Sequence, residues 1–351
     1  MSDMLSIGAS SLRAYQAALT TTSENIANAG NAGYSRRTAP VREVVAPGGL
    51  TTGSAQGMGV VVTGISRATD IYKTAEVRTA TADLAKTETG ATWLQRIEGS
   101  LSGQQLGDRL TAFFNAAKGV AADPASLAPR ATMVEAASSV AYAFSATGAA
   151  LDSAAEDLDA SASAAATQLN GLAQALAKVN AGLGHSTLGT SGQAALLDQR
   201  DKLLEEMSAI TDVSVTTDPF GKASVRVGGP AGPVLVEGEN AGAVTYARND
   251  AGLVAYAAHF QGQSSAVFPN GGALAGFAEG AQRIADAHGP GQERALRPGP
   301  ATAGDRRTLT RRVRRTACER SAGRHGPADR RGSAHRPTVP RHSHRSRAVW
   351  H

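Results

Sequence analysis

The sequence predicts a mainly α fold with an inserted β domain: a long antiparallel helical bundle or coiled-coil rod, a small β-rich domain and a disordered basic tail. Three observations predict it. Apolar residues recur at intervals of seven in two separate stretches, one near the start and one between residues 144 and 183. After residue 211 the period changes to two. From residue 289 neither period survives, and Arg, Pro, Gly, Ser and His dominate.

The first element is a helix within residues 1–36. Leu5, Leu12, Leu19 and Ile26 recur every seventh position, with Gly8, Tyr15 and Thr22 three positions after the first three. A lone helix of this length is marginal in water because nucleation is unfavourable and nothing covers its apolar stripe, so the seam requires a partner helix. Asn25 and Asn28 share one face near the expected helix end, where their amides can cap backbone groups. Gly33 then permits a turn.

Residues 37–68, rich in Val, Thr and Gly with Pro40 and Pro47, read as an extended connection with short strands. Asp70 reads as the N-cap of a helical rod over 69–210, with breaks suggested at Gly99, Gly103 and Gly107 and a turn at Asp123-Pro124. Phe144, Leu151, Leu158, Ala165, Leu172 and Val179 are seven apart, and Gly148, Ala155, Ala162, Leu169, Leu176 and Leu183 follow each by four. This predicts a helix of about 60 Å over 144–183 at the usual helical rise. Its alanines admit close approach, and antiparallel packing against helices of 70–120 is expected. A Gly-rich loop at 182–192 leads into a further amphipathic helix around Leu196 to Leu204.

A small β domain is expected over 211–268. Val213 and Val215, then Ala223, Val225 and Val227, flank the turn Asp218-Pro219-Phe220-Gly221, and further strands are expected at 234–236, 244–246 and 253–256. A return helix occupies 269–288. The tail, 289–351, contains sixteen Arg, no Lys and four acids, a charge of +12, so residues 1–288 must carry −7 of the whole-chain +5. Such a segment lacks the apolar surface to repay ordering.

Several function classes lose support. No apolar run reaches the length of a membrane-spanning helix, and the N-terminus lacks the profile of a cleaved secretory signal. Cys318 is the single cysteine and lies in the tail, which leaves the body without thiol chemistry. Outside the tail only His185, His259 and His288 occur, in no zinc-type spacing and beside no nucleophile elbow. Gly57-Met58-Gly59 lacks the third glycine of a dinucleotide loop, and Gly228-Gly229-Pro230 has proline where a phosphate cradle needs an amide. No catalytic constellation, cofactor site or metal site is expected. His335, His342 and His344 sit in the tail without neighbouring carboxylates or thiols and read as incidental. Asp198, Arg200 and Asp201 read as a solvated charged face with weak ion pairs.

Asn25-Ile26-Ala27-Asn28 followed by Gly33-Tyr34 resembles the N-terminal signature of the bacterial flagellar axial proteins, the rod, hook and hook-associated group. Ser35-Arg36 is most similar to the hook-associated branch that joins hook to filament. Leu197-Asp198-Gln199-Arg200-Asp201 followed by Val213-Ser214-Val215 resembles a second block of that branch, in the right order, and Asn270 to Phe277 resembles its return helix. Departures are Glu24 for Asn, Asn31-Ala32 for Thr-Pro and Arg37 for Gln; without the proline the loop is less rigid.

The resemblance implies a structural subunit of the hook–filament junction, secreted without a cleaved signal through a type III channel. Its partners would be copies of itself, hook protein and a second junction protein, with an export chaperone; no specific nucleic acid and no membrane insertion are implied. Leu5, Leu12, Leu19 and Ile26 would form the axial seam. Asn25, Asn28, Gly33, Tyr34, Ser35 and Arg36 would shape the loop and contact neighbouring subunits. In the family a terminal apolar helix pairs with the first one; residues 289–351 provide none, so impaired assembly is expected. The tail composition fits a GC-rich gene read in a shifted frame better than a selected basic tail. The alternatives are a coiled-coil adaptor whose basic tail binds nucleic acid or an acidic surface, or another axial protein of hook or distal rod.

Overall fold

The computed structural model describes residues 2–45, 57–249 and 253–288, all within the unit Met1–Glu293. The Arg-rich segment 289–351, and with it the expected disorder, Cys318 and His335, His342 and His344, lies outside the described residues.

Helix α1 (Ser2–Ala27) has two faces. The face bearing the sevenfold stripe is exposed, while Ala14 and Thr21 on the opposite side are buried. What covers that second side is a hairpin of β2 (Val41–Val45) and β3 (Gly57–Val62), paired antiparallel. Small residues make the approach possible. A Cβ on Gly59, whose φ is +100°, would lie 2.3 Å from Ser10 Oγ, and that hydroxyl accepts a hydrogen bond from Val60 N at 3.2 Å. Glycine supplies both the left-handed backbone and the clearance. Flanking this hairpin, β1 (Arg37–Thr38) pairs antiparallel with β4 (Ser66–Arg67).

Asp70 caps α2 (Ile71–Ser102) as expected, its carboxylate accepting from Tyr72 N and Lys73 N. Of the three glycines expected to break the rod, Gly103 alone ends a helix; Gly99 and Gly107 lie inside helices. Gln105, at φ 48°, makes the turn into α3 (Leu106–Ala122). The Asp123-Pro124 turn then reverses the chain into α4 (Leu127–His185). The two helices are antiparallel neighbours, with Arg109 donating to Ser139 Oγ at 2.6 Å.

At 59 residues α4 is one unbroken helix of about 88 Å at the usual rise. Leu151, Leu158, Leu169, Leu176, Val179 and Leu183 of the expected seam are buried, whereas Phe144 is exposed. The seam therefore works where other elements cover it. α5 (Ser191–Ile210) folds back along it, and α6 (Gly272–His288) lies along α2. The order Gly271 by Ala82, Gly276 by Thr89 and Gly280 by Trp93 makes α2 and α6 parallel. A Cβ on Gly276 would stand 2.6 Å from that of Thr89, so glycine sets how closely the two helices meet. Trp93 and Phe277 close the contact edge to face, 6.3 Å between centroids.

The strands after residue 211 form two antiparallel sheets. One has the order β5 (Val213–Thr217), β6 (Ala223–Val227), β7 (Val234–Glu237), β8 (Asn240–Ala241). The other places β10 (Val254–Phe260) between β9 (Ala243–Arg248) and β11 (Gln263–Val267). Two asparagines of α4 clamp them. Asn180 accepts from Ala223 N and donates to Ala223 O and Gly238 O, and Asn170 brackets Val244 in the same manner. Val225, Val227, Leu235, Val236 and Val244 share one core with Leu169 and Leu176.

Candidate functional site: an outward apolar stripe and its charged latch

Leu5, Leu12, Leu19 and Ile26 lie on one side of α1 at 77, 61, 67 and 73% exposure, with Gly8, Tyr15 and Thr22 exposed beside them. Fully burying four such side chains stabilises by about 6 kcal/mol at the lower end of the usual range. Nothing among the described residues covers them.

The loop after α1 is built by its asparagines. Asn28 donates its amide to Glu24 O at 2.9 Å and so caps the helix end, as expected. Asn25 does something else. Its Oδ1 accepts from Arg37 N at 2.8 Å and from the Tyr34 hydroxyl at 2.9 Å, and its Nδ2 donates to Arg37 O at 2.8 Å. The side chain thus pairs with one residue of β1 much as a neighbouring strand would. Gly33 lies in the loop without a left-handed backbone; the turn there is made by Asn31, whose Oδ1 accepts from Gly33 N at 3.2 Å.

Arg37 and Arg67 are directly opposite in the β1–β4 pair, and both are buried, at 8 and 7% side-chain exposure. Like charges facing each other across a strand pair repel. The countercharge comes from α5. Asp198, 9% exposed, accepts from Arg37 Nη2 at 3.0 Å and Arg67 Nε at 2.9 Å. Around it runs an alternating series: Glu24 to Arg37 at 3.3 Å, Arg67 to Asp201 at 2.7 Å, and Arg200 to Asp201 at 2.5 Å. Ser35 joins through its N–H to Asp198 Oδ1 at 3.3 Å and its hydroxyl, which accepts from Arg67 Nη2 at 3.2 Å. Tyr34 lies under the Arg37 guanidinium, 4.7 Å from ring centroid to Cζ.

This corrects the reading of Asp198, Arg200 and Asp201 as a solvated face: Asp198 is buried between two arginines of a distant segment. Arg36 is the exception in the loop, its side chain exposed and its carbonyl accepting from Ala68 N at 2.8 Å. Sequence reasoning missed Arg37, noted only as a departure from the family pattern, and Arg67 altogether. A buried ion-pair group adds little net stability against an apolar substitute, but breaking it is costly, so such groups fix one arrangement among many. Here the arrangement is the junction between α1 and the helical body. Arg37 Nε is buried without a hydrogen-bond partner, which adds to the cost of any further loss.

An open cleft of about 490 Å³ lies between this loop and α5, lined by Glu24, Asn28, Tyr34, Arg37, Asp198 and Lys202 among others. Its two carboxylates are held by Arg37, and it contains neither a hydroxyl with a base beside it nor an imidazole. No group of three metal-ligating side chains occurs among the described residues, and no described helix is long and apolar enough to cross a membrane.

The family model of the flagellar hook-associated protein FlgK helical domain matches residues 94–289, more than half of the chain. The chain belongs to the FlgK family. Flagellar hook-associated protein 1 of Salmonella typhimurium is 28% identical over 245 residues, covering 69% of this chain and 44% of that protein. The Bacillus subtilis protein of the same name is 25% identical over 218 residues, covering 60% and 43%. The chain thus spans less than half the length of these relatives. The flagellar hook junction protein FlgK from Burkholderia pseudomallei shares the fold, with a TM-score of 0.52 at 19% identity over 59% of this chain and 38% of that one.

Proposed function

We propose that the chain is a structural subunit of the bacterial flagellum at the hook–filament junction, which joins its neighbours through α1. The reading is carried by one observation, the sevenfold stripe of α1 standing 61–77% exposed while the opposite side of the same helix is packed on its own hairpin. A helix that buries its small residues and exposes its large ones is arranged for a partner. The names of the relatives support association with the flagellar hook; on that basis the partners proposed are copies of the chain, hook protein and a second junction protein, with an export chaperone before assembly. Asn25, Tyr34, Ser35 and the Asp198 group set the direction in which the stripe is presented; Asn28, Gly33 and Arg36 line the adjoining surface, available to neighbouring subunits.

Residues 289–351 contain no apolar stripe to mate with α1, so we infer that a polypeptide of residues 1–351 by itself binds hook ends reversibly and does not support filament growth. Isolated hook fragments test the reading. Under electron microscopy the chain should add density at their distal ends and nowhere else; an adaptor of the coiled-coil class would leave the ends bare. In a strain lacking the junction subunit, restored filaments would overturn the inference of impaired assembly.

A further inference from the structure

We propose that Asn270 is a site of spontaneous backbone-directed deamidation, activated by Lys86 and located at the entry to α6. The chain contains two Asn-Gly steps in which glycine leaves the following amide unhindered, Asn170-Gly171 and Asn270-Gly271. They differ in every respect that matters to the reaction. Asn170 lies inside α4 with its side-chain amide donating to Val244 O at 2.9 Å and accepting from Val244 N at 2.7 Å, and the Gly171 N–H belongs to the helix. Asn270 is exposed in a turn before α6, and neither its side-chain amide nor the Gly271 N–H makes a hydrogen bond.

The reaction needs the Gly271 nitrogen to lose its proton and attack Asn270 Cγ. On deprotonation, negative charge spreads from that nitrogen onto the conjugated carbonyl oxygen of Asn270. Lys86 Nζ, which also pairs with Glu279 Oε1 at 2.9 Å, stands 3.2 Å from that oxygen, and its remaining positive field stabilises the anion. Meanwhile Asp212 pins both flanks, accepting from Asn270 N at 3.1 Å and donating its own N–H to Gly271 O at 3.2 Å. A bond forms between Gly271 N and Asn270 Cγ. The bond from Cγ to Nδ2 breaks, and ammonia leaves with the proton taken from water. Water then opens the five-membered imide at either carbonyl, giving aspartate or isoaspartate. One water enters, one ammonia departs, and no oxidant is required.

The two products differ in consequence. Aspartate places a carboxylate in a cleft that holds Arg78 but also Asp83 and Asp212, with Lys86 nearby, so attraction and repulsion oppose each other there. Isoaspartate lengthens the main chain beside Gly271, where even a Cβ would lie 3.1 Å from that of Ala82, and so loosens the start of α6.

The test ages the full chain under warm, mildly alkaline conditions and maps peptides by mass. The peptide containing Asn270 gains about 1 Da, the exchange of an amide for an acid, and contains isoaspartate, while that containing Asn170 is unchanged. Lys86→Gln slows conversion roughly fivefold in the folded chain, the scale of a screened surface charge interaction, and has no effect in denaturant. Equal conversion at both asparagines, no conversion at Asn270, or a Lys86→Gln rate equal to that of the unsubstituted folded chain would overturn the proposal.

Discussion

Replacing Asp198 by asparagine keeps the side-chain shape and removes the charge that lets two buried arginines face each other. Removing one partner of a buried ion pair costs about 3–5 kcal/mol because the remaining charge is stranded. The structure reduces that figure, since Arg67 keeps Asp201 at 2.7 Å and Arg37 keeps the partly exposed Glu24 at 3.3 Å. We therefore expect about 3 kcal/mol, or roughly a hundredfold rise in the opening of the segment.

Where that energy is lost matters more than its size. The segments 34–38 and 66–67 meet the body mainly through this group and the Ile65 N–H to Gly189 O bond of 2.7 Å. By contrast the core around Leu158, Leu169 and Leu176 does not include them. Asp198→Asn should therefore release the arm locally and leave global unfolding nearly unchanged. Hydrogen exchange resolved by peptide checks this, with faster exchange at 34–38 and 66–67 and retained protection across 151–183. Unchanged exchange in the arm would refute the latch, and loss of protection throughout would mean that the arm and core are one cooperative unit.

Gly276→Ala forces a Cβ against Thr89 and should destabilise the chain by about 1–3 kcal/mol, measured by urea denaturation; Ala at half-buried Gly148, where an added Cβ meets open space, serves as the control. Gln105→Gly relieves the left-handed backbone between α2 and α3 and should raise stability by roughly 1 kcal/mol in the same assay. Tyr246 is held above the ordinary phenol range by burial and by its hydrogen bond to Asp159, and Tyr256 chiefly by burial. Their protonated forms are favoured by the fold, so this stability is complete below the unfolded value of about 10 and disappears as pH rises through the folded values. Ultraviolet titration should show two of the six tyrosines ionising late, together with loss of β structure seen by circular dichroism.

What the sequence disclosed was whatever depended on local period. The α1 stripe and the Leu layers of α4 repeat within single helices, so spacing alone locates them. The Asp218 to Gly221 hairpin was legible because its turn residues carry their own conformational preferences. By contrast, β8 is two residues long and β11 is largely exposed and polar, so neither presents an apolar alternation. The latch was illegible for another reason: Arg37 and Asp198 are 161 positions apart, and Asp198 beside Arg200 and Asp201 has the same local pattern as an ordinary wet helix face. Burial decides between those readings, and burial there depends on which segment docks on α5. Asn25 lies near a helix end, where its spacing predicts a cap, but its amide pairs with β1, a contact that exists only once the loop has turned back.

If the exposed stripe of α1 is the surface through which the chain meets its neighbours, charges placed on it must block that meeting. The most direct test is the fraction of hook-fragment ends decorated by the unsubstituted chain and by the Leu12→Glu/Leu19→Glu double variant. At 61 and 67% exposure these substitutions should leave the circular dichroism spectrum and thermal transition unchanged. End decoration should be abolished in the double variant. Equal decoration by both chains would contradict it.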